Sequence, residues 1–142
     1  MPFPITRDLI VESENKLGCT FPESFVNKMM NDNGGSVQPP GLSEEEAYSW
    51  FLFPFYDTSS PKLIARTCND IVKETIKARE EYGLPENLVA IGEDGSGGYL
   101  VYVIEDGKCK DEIFAWYCDE EVEDLEKVVN DFSEFTLEEN ER

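Results

Sequence analysis

The sequence predicts an α+β fold, an antiparallel β-sheet with helices packed mainly on one face. Three observations predict it. Apolar residues recur at helical spacing near the start of the chain and again after Asn69. Short runs rich in β-branched and aromatic residues follow, the strongest being Tyr99-Leu100-Val101-Tyr102-Val103-Ile104. Asp106-Gly107 then lies between two such runs, and this dipeptide makes a tight hairpin that sets neighbouring strands antiparallel. Helices segregated to one side of such a sheet give the α+β architecture. The 142 residues suit a single domain, 1–142, with the 138–142 tail expected to fray.

A first helix is expected over about 6–17, with Leu9, Ile10, Ser13 and Leu17 on one side and Gly18 as its stop. Thr20 and Glu23 have capping-box spacing, and Pro22 suits a first helical turn, so a second helix is expected over about 22–31. Phe25, Val26, Met29 and Met30 form its apolar stripe, and Asn33-Gly34-Gly35 ends it with residues that tolerate positive φ. Residues 34–43 read as loop or short edge strand. Trp50 to Tyr56 reads as a core strand, with Pro54 placing a bulge or an edge. Residues 57–61 read as a loop.

Asn69-Asp70 caps a third helix through about Tyr82, with Gly83 and Pro85 as stops and Ile71, Val72, Thr75, Ile76 and Arg79 facing inward. Leu88 to Gly92 reads as a strand. Asp94 to Gly98 is a turn in which Gly95 and Gly97 supply backbone freedom. Glu112 to Tyr117 pairs with the Tyr99 strand. A last helix is expected from about Asp119, because Val122, Leu125, Val129, Phe132 and Phe135 recur at burial spacing.

Charge and composition narrow the functions. Twelve Lys and Arg against 31 Asp and Glu give a net charge of −19. Such a surface disfavours direct contact with nucleic acid or anionic membranes and suits a basic partner. No run reaches the ~20 apolar residues of a membrane span, and the first residues contain no apolar export segment. The cysteines at 19, 68, 109 and 118 form no Cys-x-x-Cys pair, so reduced thiols in the cytoplasm are expected.

The chain has no histidine, which removes a Ser-His-Asp triad, a Cys-His pair and His-ligated metals. Asp94-Gly95-Ser96-Gly97-Gly98 lacks the first glycine of a nucleophile elbow and has no histidine base. No Gly-Lys-Ser/Thr follows to make a phosphate loop. The cysteine positions do not fit a closed zinc site. No cofactor, metal or catalytic residue is assigned.

Leu17-Gly18-Cys19-Thr20-Phe21-Pro22-Glu23-Ser24-Phe25, followed by Asn33-Gly34-Gly35, resembles the N-terminal block of the SUKH superfamily, the Smi/Knr-like proteins. Ile91-Gly92-Glu93-Asp94-Gly95-Ser96-Gly97-Gly98 resembles the strand-ending loop of that family, which commonly carries Asp or Asn where this chain has Gly98. Trp116 near a strand end and Phe132-Ser133-Glu134-Phe135 look like further family features, and together the matches span about residues 6–137.

The resemblance implies a non-enzymatic intracellular immunity protein that binds and neutralises a polymorphic toxin, in many cases a nuclease. A nuclease cleft is basic, and the −19 charge suits it. Three other readings remain compatible with the sequence: a cytosolic regulatory adaptor, a carboxylate-dependent hydrolase, and a structural subunit. The partner surface is expected where chain reversals expose side chains: Glu93 and Asp94 in the loop, Trp116 and Tyr117 at a strand end, Asp119 and Glu120 just after it, with Asn33 joining from the helix 2 turn. Gly18, Pro22, Gly34, Gly35, Gly92, Gly95 and Gly97 are expected to shape turns.

Overall fold

The computed structural model describes residues 3–41, 48–118 and 125–137. Helix α1 (Arg7–Leu17) buries Ile10 and Ser13 and stops at Gly18, whose φ is +76°. Helix α2 (Glu23–Asn31) buries Phe25, Val26 and Met29. Both match the expected spans to within a residue. The capping box does not form. Pro22 is the N-cap of α2, with no side-chain cap. Thr20 instead bridges to Lys108, where Thr20 N donates to Gly107 O and Cys109 N to Thr20 O. The buried Glu14 carboxylate accepts from Phe21 N at 2.9 Å and so satisfies an amide at the corner between α1 and α2.

Strand β1 (Gly35–Gln38) follows the Gly34-Gly35 turn, and β2 (Trp50–Leu52) pairs with it antiparallel. Trp50, Leu52, Phe53 and Phe55 of the aromatic run are core, while Phe51 is 50% exposed, and the ladder ends at Leu52. Phe53 N still reaches Ile91 O, and Pro54 has no N–H to extend the pairing. A short helix, α3 (Pro61–Arg66), occupies a stretch with no assigned element. It buries none of its residues, so no apolar period marks it, although Ser60 caps it and Pro61 opens it.

Helix α4 (Ile71–Tyr82) starts at Asp70, which accepts from Lys73 N at 3.0 Å, and stops at Gly83. Its inner face is Ile71, Thr75 and Ala78. Ile76 is 44% exposed, which corrects the expected face. Thr75 fixes the rotation: its hydroxyl sits between the backbone N–H and C=O of Ala90. Arg79 leaves the core to bond the carbonyls of Glu86 and Leu88.

Strands β3 (Leu88–Glu93), β4 (Gly98–Glu105) and β5 (Lys108–Tyr117) form the centre of the sheet, with Asp106 and Gly107 both at positive φ in the hairpin. The expected last helix is replaced where the chain is described. Glu126–Val129 is a strand, β6, paired antiparallel with β5. Phe132–Glu134 is one 3-10 turn capped by Asp131, and Thr136–Leu137 is a short strand, β7, paired with β1. Val122 lies outside the described residues. The burial forecast survives the change of element: Val129, Phe132 and Phe135 are all inside. Val128-Val129 favours a strand, Asn130-Asp131 interrupts a helix, and the open edge of β5 supplies the partner.

The described strands form one antiparallel sheet in the order β6-β5-β4-β3-β2-β1-β7. Tyr102 and Tyr99, three positions apart on β4, point to opposite faces. Tyr102 joins a ring cluster with Phe21 and Phe25, and Phe25 in turn packs on Phe55 and Phe132. Tyr99 joins a second cluster with Phe53, Tyr82 and Trp116. That second cluster positions the candidate site.

Candidate functional site

The β3–β4 loop is closed by one carboxylate. Asp94 Oδ1 accepts from Ser96 N at 2.8 Å, Ser96 Oγ at 3.1 Å and Gly98 N at 3.0 Å, while Asp94 N donates to Gly98 O. Gly95 and Gly97 both hold positive φ in the turn. Two further glycines lie close to their neighbours, Gly98 against side chains and Gly92 against backbone. A Cβ at Gly98 would sit 2.6 Å from both Asp94 Oδ2 and Tyr117 Cε1. A Cβ at Gly92 would sit 2.8 Å from Phe51 O.

Between this loop and α4 lies a groove of about 530 Å³. Its floor is aromatic. The Tyr99 ring centroid lies 6.4 Å from Phe53, 6.4 Å from Tyr82 and 6.0 Å from Trp116, which backs it. Its rim is charged: Glu74 and Lys77 come from α4 and Glu93 from the end of β3. Among the described residues neither glutamate takes part in a salt bridge. Partial burial pushes the Glu74 carboxyl up; Lys77 opposes this, while Glu93, Asp70 and Glu81 reinforce it. Burial also pushes the Tyr99 hydroxyl up, with Tyr82, Glu74 and Glu93 adding to it.

The chain matches the model of the SMI1 / KNR4 family (SUKH-1) over residues 4–138. The chain belongs to that family. A comparison with curated proteins gave no match. The expected SUKH landmarks all fall inside the matched span. Where the SUKH loop commonly carries Asp or Asn, Gly98 here leaves the space that Asp94 and the Tyr117 ring fill.

The residues singled out from the sequence separate into four groups. Glu93 is exposed on the groove rim, and Tyr117 is 39% exposed at the end of β5, beside the loop. Asp94 lies in the loop, but its carboxylate is engaged in closing the turn. Trp116 and Asn33 are corrections. Trp116 is wholly buried because strand alternation turns it inward against Tyr99, opposite in direction to Tyr117. Asn33 is buried because its carboxamide bonds the backbone of Phe55. Asp119 and Glu120 lie outside the described residues.

Glu74, Tyr82, Tyr99 and Phe53 were not anticipated at the site. Tyr82, beside the Gly83 stop, is the one with a local signal: a large aromatic in the last helical turn, 39% exposed. No described helix is long and apolar enough to cross a membrane.

Proposed function

We propose that this SUKH protein is a non-enzymatic, cytoplasmic protein-binding module, and that it acts as an immunity protein against a basic toxin domain of the nuclease class. Family membership supports an immunity-type role. The observation that carries the reading is the groove: exposed tyrosine above an aromatic floor, rimmed by glutamates that form no salt bridge among the described residues, on a chain of net charge −19. A nuclease that grips a polyanion must present cations, and this surface complements them. Complementary charge steers encounter, while desolvated aromatics slow escape. Asp119 and Glu120, directly after β5 in sequence, belong to the proposed surface with Glu93, Asp94 and Tyr117.

The test is capture of partners from the native cell, followed by binding kinetics on the captured protein. One tight basic partner is expected, with an association rate that falls steeply as salt rises. Asp119→Lys combined with Glu120→Lys should lower that rate and flatten its salt dependence. Binding indifferent to salt up to about 0.5 M, where exposed charges are strongly screened, would remove the electrostatic argument. Several weak partners without a basic surface would favour a regulatory adaptor.

A further inference from the structure

We infer that the groove between α4 and the β3–β4 loop takes up a single cationic side chain, lysine or arginine, presented by a protein partner. The inference rests on the reading of a basic partner and specifies what that partner inserts.

The groove has two chemical layers, and a cationic side chain has the same two. Lysine and arginine carry an apolar stem and a charged head. The floor, Phe53 and Tyr99, is closely packed at 2% and 9% exposed, and the Tyr82 ring against it, 39% exposed, offers apolar surface to a stem. The rim, Glu74 and Glu93, offers carboxylates to a head. Tyr82 stands at the mouth, 39% exposed, with its ring against Tyr99, where a cation over its face gains from the ring quadrupole. Lys77 is the groove's own cation. Glu74 and Glu93 outnumber it, and Asp70 and Glu81 lie near enough to act on Glu74.

Other occupants fit less well. An anion would meet both glutamates. A purely apolar group would bury carboxylates without a partner, which costs free energy. A cation relieves the like-charge repulsion between Glu74 and Glu93 and leaves the floor covered.

The test uses the full chain, labelled with nitrogen-15, and three probes at matched ionic strength: Nα-acetyl-arginine amide, Nα-acetyl-lysine amide and the neutral citrulline counterpart. Saturable shifts of the Gly95 and Gly97 amides are expected with at least one cationic probe in the millimolar range and not with citrulline. The stronger cation identifies the side chain. Glu93→Gln and Tyr82→Ala should each weaken that binding roughly three- to fivefold, the size of one exposed cation–π or charge contact. Tyr82→Phe should retain it, which separates loss of the ring from loss of fold. Equal shifts with citrulline, or saturation that none of these substitutions alters, would overturn the inference. The captured partner gives a separate check. If a basic partner binds the Glu93→Gln/Tyr82→Ala double variant undiminished, the groove inference fails while the basic-partner reading stands.

Discussion

Asn33 satisfies both backbone groups of Phe55. Its Nδ2 donates to Phe55 O at 2.9 Å, and Phe55 N donates to its Oδ1 at 2.7 Å. The side chain thus replaces a missing strand partner after Pro54, and it ties the α2 turn to the aromatic core. Asn33→Ala leaves a buried donor and a buried acceptor unpaired. The expected loss is about 2–4 kcal/mol, read from denaturant midpoints. A loss below about 0.5 kcal/mol would mean that the two segments are not coupled through this residue.

The turn beside it makes a second prediction. Gly34 and Gly35 hold φ of +118° and +92°. Gly35→Val places a β-branched residue in a region it avoids, and a cost on the order of 1–3 kcal/mol is expected. An unchanged melting temperature would show that the turn relaxes without strain.

Trp116 is expected to behave as core. Trp116→Ala should lower stability by roughly 3–5 kcal/mol, with loss of the tryptophan signal that reports the Tyr99 cluster. A full-strength variant would instead place the indole at the surface.

The four thiols should divide by accessibility. Cys68 and Cys118 are exposed, while Cys19 and Cys109 are buried with their sulfurs 3.8 Å apart. The hydrogen bond to Cys19 and burial both push the Cys109 thiol up, which keeps it out of the reactive thiolate form. Iodoacetamide followed by mass spectrometry should modify Cys68 and Cys118 first. Modification of Cys19 and Cys109 should require unfolding. Equal rates at all four would contradict the packing of the α1–α2 corner against β5.

Lys28 makes stability depend on alkaline pH. Its Nζ donates to Asp32 O and Gly34 O at the end of α2, and burial pulls its pKa down to about 8. In the unfolded chain it titrates near 10.5. Between these values the unfolded chain binds more protons, so this residue's contribution to stability rises with pH across that window. Lys28→Met should flatten the rise relative to the parent, measured as the difference between two denaturation series. Parallel series would show that Lys28 keeps its ordinary affinity for protons.

Legibility followed locality. Gly18, Asp70-to-Gly83 and Asp106-Gly107 were readable because each satisfies its own backbone within a few residues. In the C-terminal segment the spacing at 125, 129 and 132 fits a helix, whereas the open edge of β5 decides for a strand. Thr20 shows the same competition: a sound local cap signal lost to a bridge with Lys108. The phase of α4 was off because Thr75 is anchored by Ala90, a contact no helical pattern encodes. At the site, Glu93 was legible as a loop acid. Glu74 was not, since one acid among 31 carries no local mark until the fold sets it across from Glu93.

The sheet order also bears on synthesis. Among the described residues its two edge strands, β6 and β7, both come from residues 126–137. A nascent chain that has emerged only as far as β5 presents two unprotected strand edges, β5 on one side and β1 on the other. Open edges are where chains pair wrongly with one another. Residues 126–137 therefore cover both flanks, and a chain stopped before them would be prone to self-association rather than a slightly weakened binder.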